Sequence, residues 1–195
     1  MMYKQCRTEQ SSNRQRLLEQ GLLDAMIQQH YDSISVSDLC GRMGIPRKSF
    51  YRYFSGKEGA LHALIDHALM DYENYPAAEP ALEGRTVQQE MERTFSYWKH
   101  CSRLLDALEK SGLSGVLIER SINHSILEGS VPPRFLPGDD RKMRERVVGF
   151  TVCGLMAMVV YWHHSGYVES VEQMAQIAMR LVTKPLFSDT SGSSE

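Results

Sequence analysis

The chain has 195 residues, 42% hydrophobic and 24% charged, with a net charge of −2. That composition excludes a disordered or collagen-like chain and fits a globular protein of one or two domains with a substantial core. Four cysteines, at positions 6, 40, 101 and 153, form no CxxC or metal-type pairing, and the polar start MMYKQCRTEQ holds no secretory apolar stretch, so the expectation is reduced thiols in a cytoplasm.

Helical periodicity dominates, and strand signals are nearly absent. Over 13–30, Leu17, Leu18, Leu22, Ala25 and Met26 recur at three-to-four spacing, which predicts an amphipathic helix. Ser35 stands three residues before Asp38, a capping-box-like start for a short second helix reaching Met43. Gly44 suits the end of that helix, and Pro46 suits the first turn of a third that runs to about Phe54. Lys57 opens a longer helix through Leu61, Leu64, Ile65, Ala68, Leu69 and Tyr72. The segment 74–85 reads as a loop, because it carries two prolines and a glycine.

Further helices are expected at 86–101, 103–110 and 114–127, then an irregular stretch over 128–140 with three prolines and two glycines. A long helix over 141–164 contains the apolar run 147–162, sixteen residues and so short of the ~20 that span a bilayer. It predicts a helix buried on most sides, by its own domain and by a partner chain, rather than a membrane segment. A last helix over 168–182 precedes a polar tail at 188–195, expected to be disordered.

Charge is unevenly spread. Residues 1–57 hold nine Lys and Arg against five Asp and Glu, whereas the remainder holds thirteen against nineteen. A basic head on an acidic body fits a polyanion-binding module joined to a domain with another task. The segment GIPRKSFYRYFSGKEGAL, 44–61, concentrates four Lys and Arg with two Tyr and two Phe. Phe50 and Phe54 lie four apart and share a helical face suited to a core, while Arg47, Lys48, Tyr51 and Arg52 fall on other faces, suited to phosphates and base edges. Two short helices joined through a glycine turn, behind a longer packing helix, make a helix-turn-helix.

The stretch ISVSDLCGRMGIPRKSFYRYFSGKEGAL resembles the DNA-binding signature of TetR-family regulators. Leu39-Cys40, Gly44-Ile45, the run 50–54 and Lys57-Glu58 occupy the signature's places in order. Three positions depart from it: His30 stands where glycine is usual, Met43 where a small residue is common, and Pro46 where serine often caps the third helix. The resemblance implies an all-α protein with a helix-turn-helix DNA-binding domain over 1–56 and a helical regulatory and dimerisation domain over 57–187, joined by a helix at 57–73. It implies a homodimer that binds a palindromic double-stranded DNA operator and is released as a repressor by a small-molecule effector. Two recognition helices then fit successive major grooves in one state of the dimer and not in the other.

The DNA-contacting residues expected on this basis are Ser35, Ser37, Arg47, Lys48 and Ser49, followed by Tyr51, Arg52, Tyr53 and Lys57. Cys40 reads as a small core hydrophobe. Candidates for lining an effector cavity are Tyr97, Trp98, Cys101, His124, Met156 and Tyr161, a set suited to a neutral or weakly polar ligand. Gly154, Ala157, Met158 and Trp162 are candidates for the dimer interface. The adjacent His163 and His164 diverge by about 100° on a helix and are not expected to share a metal. No cofactor is called for. A helical enzyme with a basic surface patch is the rival reading, disfavoured because no catalytic triad, phosphate loop or paired carboxylates stand out. A DNA binder answering to a protein partner is another.

Overall fold

The computed structural model describes residues 2–75, 86–129 and 140–183. Among them nine α-helices run in order: α1 (Glu9–Gln28), α2 (Val36–Arg42), α3 (Arg47–Tyr51), α4 (Lys57–Glu73), α5 (Val87–His100), α6 (Ser102–Lys110), α7 (Ser114–Glu128), α8 (Arg141–His164) and α9 (Val171–Thr183). A 3-10 turn at Tyr31–Ser33 links α1 to α2. The all-α expectation is met, with no strand among the described residues. Most of the expected loop over 74–85, most of the irregular stretch 128–140 and the tail 188–195 lie outside the described residues.

Boundaries follow caps. α1 begins earlier than its apolar repeat because Thr8 accepts from the Ser11 amide at 3.3 Å. Ser35 caps α2 by accepting from the Asp38 amide at 3.0 Å, and its hydroxyl donates to the Asp38 carboxylate at 2.6 Å. Thr86 and Gln89 form a complete capping box at α5. α9 starts at Val171 rather than at Val168 because Ser170 and Gln173 cap one another there. Gly44 takes a left-handed φ of +63°, which lets the chain reverse between α2 and α3.

The head is a three-helix unit. Leu22 and Met26 of α1, Leu39 of α2 and Phe50 of α3 are fully buried together, with Phe54 closing the cluster. α4 extends from this unit, its Leu61 and Ile65 buried against it, and continues into the body against α7. In the body α7 packs along α8 and α5 along α9, around Phe95, Leu108, Leu117 and Trp162. α6 lies against α1, so head and body touch through α4 and through α6.

Two departures of the sequence from the family pattern find physical reasons. Met43 is accommodated because its sulfur occupies the space that a Cβ would need at Gly21. His30 has φ −60° and caps the 3-10 turn, its Nδ1 accepting from the Asp32 amide at 3.3 Å, so no glycine is required.

The apolar run of α8 differs from expectation. α8 is the one described helix long and apolar enough to cross a membrane, yet the body does not cover most of it. It packs on α7 and leaves Phe150 75% and Tyr161 73% exposed on its outer face.

Candidate nucleic-acid interface

The interface is assembled by burying one side of α3. Phe50 and Phe54 pack with their rings tilted at 49° and centroids 5.0 Å apart, both beneath the head surface. That anchoring turns the opposite side of the helix outward: Arg47, Lys48, Tyr51 and Arg52 are exposed. The Arg47 guanidinium sits 5.9 Å from the Tyr51 ring centroid, one turn along the helix. A five-residue helix and the residue that caps it thus present two guanidiniums, an ammonium and a phenol. Ser35 and Ser37 are exposed at the start of α2, and Ser49 is half-buried.

Two sequence candidates stand elsewhere. Tyr53 is a core residue, 6% exposed and packed against Phe54, because α3 ends at Tyr51 and the next turn folds inward. The candidate contact at Tyr53 is corrected accordingly. Lys57 is half-buried and engaged within the head: its ammonium donates to the Tyr31 carbonyl at 2.7 Å and lies 4.1 Å from the Tyr31 ring centroid. Cys40 is buried, as expected of a packing thiol, and burial raises its pKa.

A feature that sequence reasoning missed supports the recognition helix from behind. Residues 2–4 run antiparallel to residues 53–55: the Lys4 amide donates to the Tyr53 carbonyl at 2.8 Å and the Ser55 amide to the Met2 carbonyl at 3.0 Å. The Tyr3 hydroxyl then donates to the Asp66 carboxylate at 2.6 Å, and Arg120 of α7 holds the same carboxylate through two nitrogens. Gly59 permits the arm, since a Cβ there would collide with the Met2 carbonyl oxygen. The one signal in the sequence is a single aromatic, Tyr3, in a polar terminus.

The six candidates for a cavity separate. Tyr97 and Cys101 line a cleft of about 470 Å³ between head and body, formed with Arg16 and Leu23 of α1, Ala68 of α4 and Arg103 of α6. Trp98 and Met156 are buried core residues outside this cleft. His124 is held by Glu73 of α4 at 3.1 Å, and Tyr161 faces outward, which removes it as a cavity wall. The cleft reaches the basic head rather than lying wholly within 86–164, because α1 forms one of its walls.

The dimer candidates also divide. Gly154 and Ala157 are exposed and Met158 half-buried on α8. Trp162 is 1% exposed within one protomer, its indole N–H donating to the Glu169 carbonyl at 3.0 Å, so it is a core residue and not an interface residue. His163 and His164 both reach one carboxylate: His163 Nε2 lies 3.3 Å from Glu109, and His164 Nδ1 meets its other oxygen. Among the described residues no group of three or more ligating side chains could hold a metal.

Residues 22–64 match the family model described as bacterial regulatory proteins, tetR family. No curated protein sequence matches the chain. A putative TetR-family transcriptional regulator from Syntrophomonas wolfei superposes with TM-score 0.61 at 13% identity, covering 90% of this chain and 97% of that one. A dihydroxyacetone kinase operon activator gives TM-score 0.54 at 15% identity, over 87% and 93% of the two chains. The fatty acid degradation regulator from Bacillus halodurans gives 0.52 at 13% identity, over 89% and 96%. At these identities the structural likeness speaks for the fold.

Proposed function

We propose that this chain, a TetR-family DNA-binding transcriptional regulator, is a cytoplasmic homodimeric repressor that leaves its operator when a small molecule binds. The observation that carries the DNA-binding half is the outward face of α3. Arg47, Lys48, Tyr51 and Arg52 are exposed on a helix whose opposite side is fixed by Phe50 and Phe54. Cations and a phenol held at helical spacing on a rigid support fit phosphate contact and base-edge reading in a major groove.

The dimer reading is supported by the outer surface of the last two helices. Phe150 and Tyr161 of α8 are exposed, as are Ile177 and Leu181 of α9, with Gly154 and Ala157 of α8 allowing close approach. A second copy of the chain covers this face in the proposed assembly and sets two α3 helices on one side of the molecule. Release by an effector requires a ligand with different affinity for the two arrangements, typically 1–3 kcal/mol of coupling, about 5–150-fold.

The test is selection of bound fragments from random DNA by the full-length protein. The proposal expects a palindromic site whose half-sites match the dimer. Recovery of sequences no different from the input pool would overturn it.

A further inference from the structure

The geometry points to the cleft between head and body as a binding site for a small organic carboxylate with an apolar body. This rests on the reading of the chain as an effector-controlled regulator, and it adds where the effector sits and what it is chemically.

At about 470 Å³ the cleft falls in the range of small-molecule sites, roughly 300–1,000 Å³. Its floor is apolar, from Leu23, Leu64, Ala68 and Leu104, and the Tyr75 and Tyr97 rings meet edge to face at 5.1 Å beside it. The polar groups of the lining are unequal. The carboxylate is already committed: the two Asp71 oxygens accept from Arg16 at 2.6 and 2.9 Å. The Tyr97 hydroxyl donates to the Ala68 carbonyl, and burial raises its pKa, so this residue offers a wall of ring.

Donors remain. Arg103 gives one amino group to Asp24 at 2.7 Å, and Asp24 does not line the cleft. Its Nε and second amino group have no partner among the described residues. Arg16 is matched by Asp71 and Arg103 by Asp24, so what remains for an anion is the pair of donors that Arg103 does not give to Asp24. A ligand carboxylate accepts charge-assisted bonds from Arg103 while its apolar body lies on the floor.

The position supplies a coupling. The Arg103–Asp24 pair ties α6 of the body to α1 of the head, alongside the Lys110 ammonium on the Ile27 carbonyl at 2.7 Å and the Tyr31 amide on the Ser111 hydroxyl at 3.0 Å. A carboxylate that draws Arg103 from Asp24 weakens one of these three ties. It therefore binds an arrangement in which the head is looser more tightly than it binds the present one.

The experiment is calorimetric titration of the full-length protein with benzoate, phenylacetate and hexanoate, each beside its neutral amide. The carboxylates are expected to bind at least about tenfold more tightly than their amides. Ala68→Leu fills the floor and should abolish binding, while Arg103→Gln should remove the preference for the charged form. Because Arg103→Gln also opens the tie to α1, Asp24→Asn is decisive: it frees the guanidinium and should tighten carboxylate binding. Equal binding of acids and amides, no binding at all, or an Asp24→Asn protein that binds no better than the wild type overturns the site. Operator titrations with and without the same acids separate the two readings. Binding that leaves operator affinity unchanged keeps the site and overturns effector control, whereas release without binding in the cleft does the reverse.

Discussion

Removing the Arg120 side chain should destabilise the body well beyond what a surface ion pair contributes, although part of the side chain is exposed. Arg120 holds Asp66 through two nitrogens, Nε at 2.5 Å from one carboxylate oxygen, with 25% and 12% of the two side chains exposed. Tyr3 completes the site with its own bond at 2.6 Å. Breaking a fully buried pair costs about 3–5 kcal/mol, because the remaining charge is left without a partner. Partial exposure of Arg120 reduces this, and about 2–3 kcal/mol is expected for Arg120→Ala. The control is Arg141→Ala, which deletes an i,i+4 pair with Glu145 at 2.9 Å whose arginine is 92% exposed; about 0.3–0.5 kcal/mol is expected there. Urea unfolding at one fixed protein concentration measures both, since a dimer's stability depends on concentration. Tyr3→Phe should cost about 1–2 kcal/mol alone and less in the Arg120→Ala background, because the two share one carboxylate. Equal, small losses for Arg120→Ala and Arg141→Ala would refute the claim that this triad ties the arm and α7 to α4.

Gly59→Ala should displace residues 2–4, whose backbone oxygen meets the new methyl, and lower stability; in a chain truncated before residue 5 the same change should gain up to about 1 kcal/mol from helix propensity. Burial pushes Tyr31 and Tyr167 up to about 12. Both groups stay protonated in the fold to higher pH than in the unfolded chain, so the stability they contribute is present below about pH 10 and is lost as pH rises toward 12. Unfolding midpoints measured across that range, with tyrosinate absorbance followed in parallel, check the sign. Phe150→Glu or Gly154→Arg should give monomers by light scattering that lose operator affinity, and a wild-type monomer at micromolar concentration would remove the proposed assembly.

Most of the head is legible in the sequence because its signals are local. The i,i+4 pair Phe50 and Phe54, the Ser35 cap and the Gly44 turn each lie within a few residues of their partners, and the structure forms them as read. What is not legible depends on contacts distant in sequence. The arm at residues 2–4 is fixed by partners some fifty residues on, so a lone Tyr3 in MMYKQ is too little to announce it. Lys57 reads as a free helix-start cation because Tyr31, which holds it, lies 26 residues earlier. Trp162 and Tyr161 are neighbours on one apolar run, and only the packing of α8 decides that the first is core and the second is surface. The cleft escapes the sequence for the same reason: its walls come from four helices, and α1 enters it through Arg16 and Leu23 from a domain that the sequence assigns to DNA.

The proposed regulatory function depends on the outward face of α3 meeting DNA. The salt dependence of affinity for the selected operator decides that point, measured for the wild type and for a variant carrying Arg47→Gln, Lys48→Gln and Arg52→Gln. These side chains are exposed, so the variant should fold with the wild-type unfolding midpoint. Weaker binding is expected, with a shallower slope of log affinity against log salt, by about one unit for each phosphate contact removed. A variant that binds the operator with the wild-type affinity and the wild-type slope would show that α3 does not face the DNA.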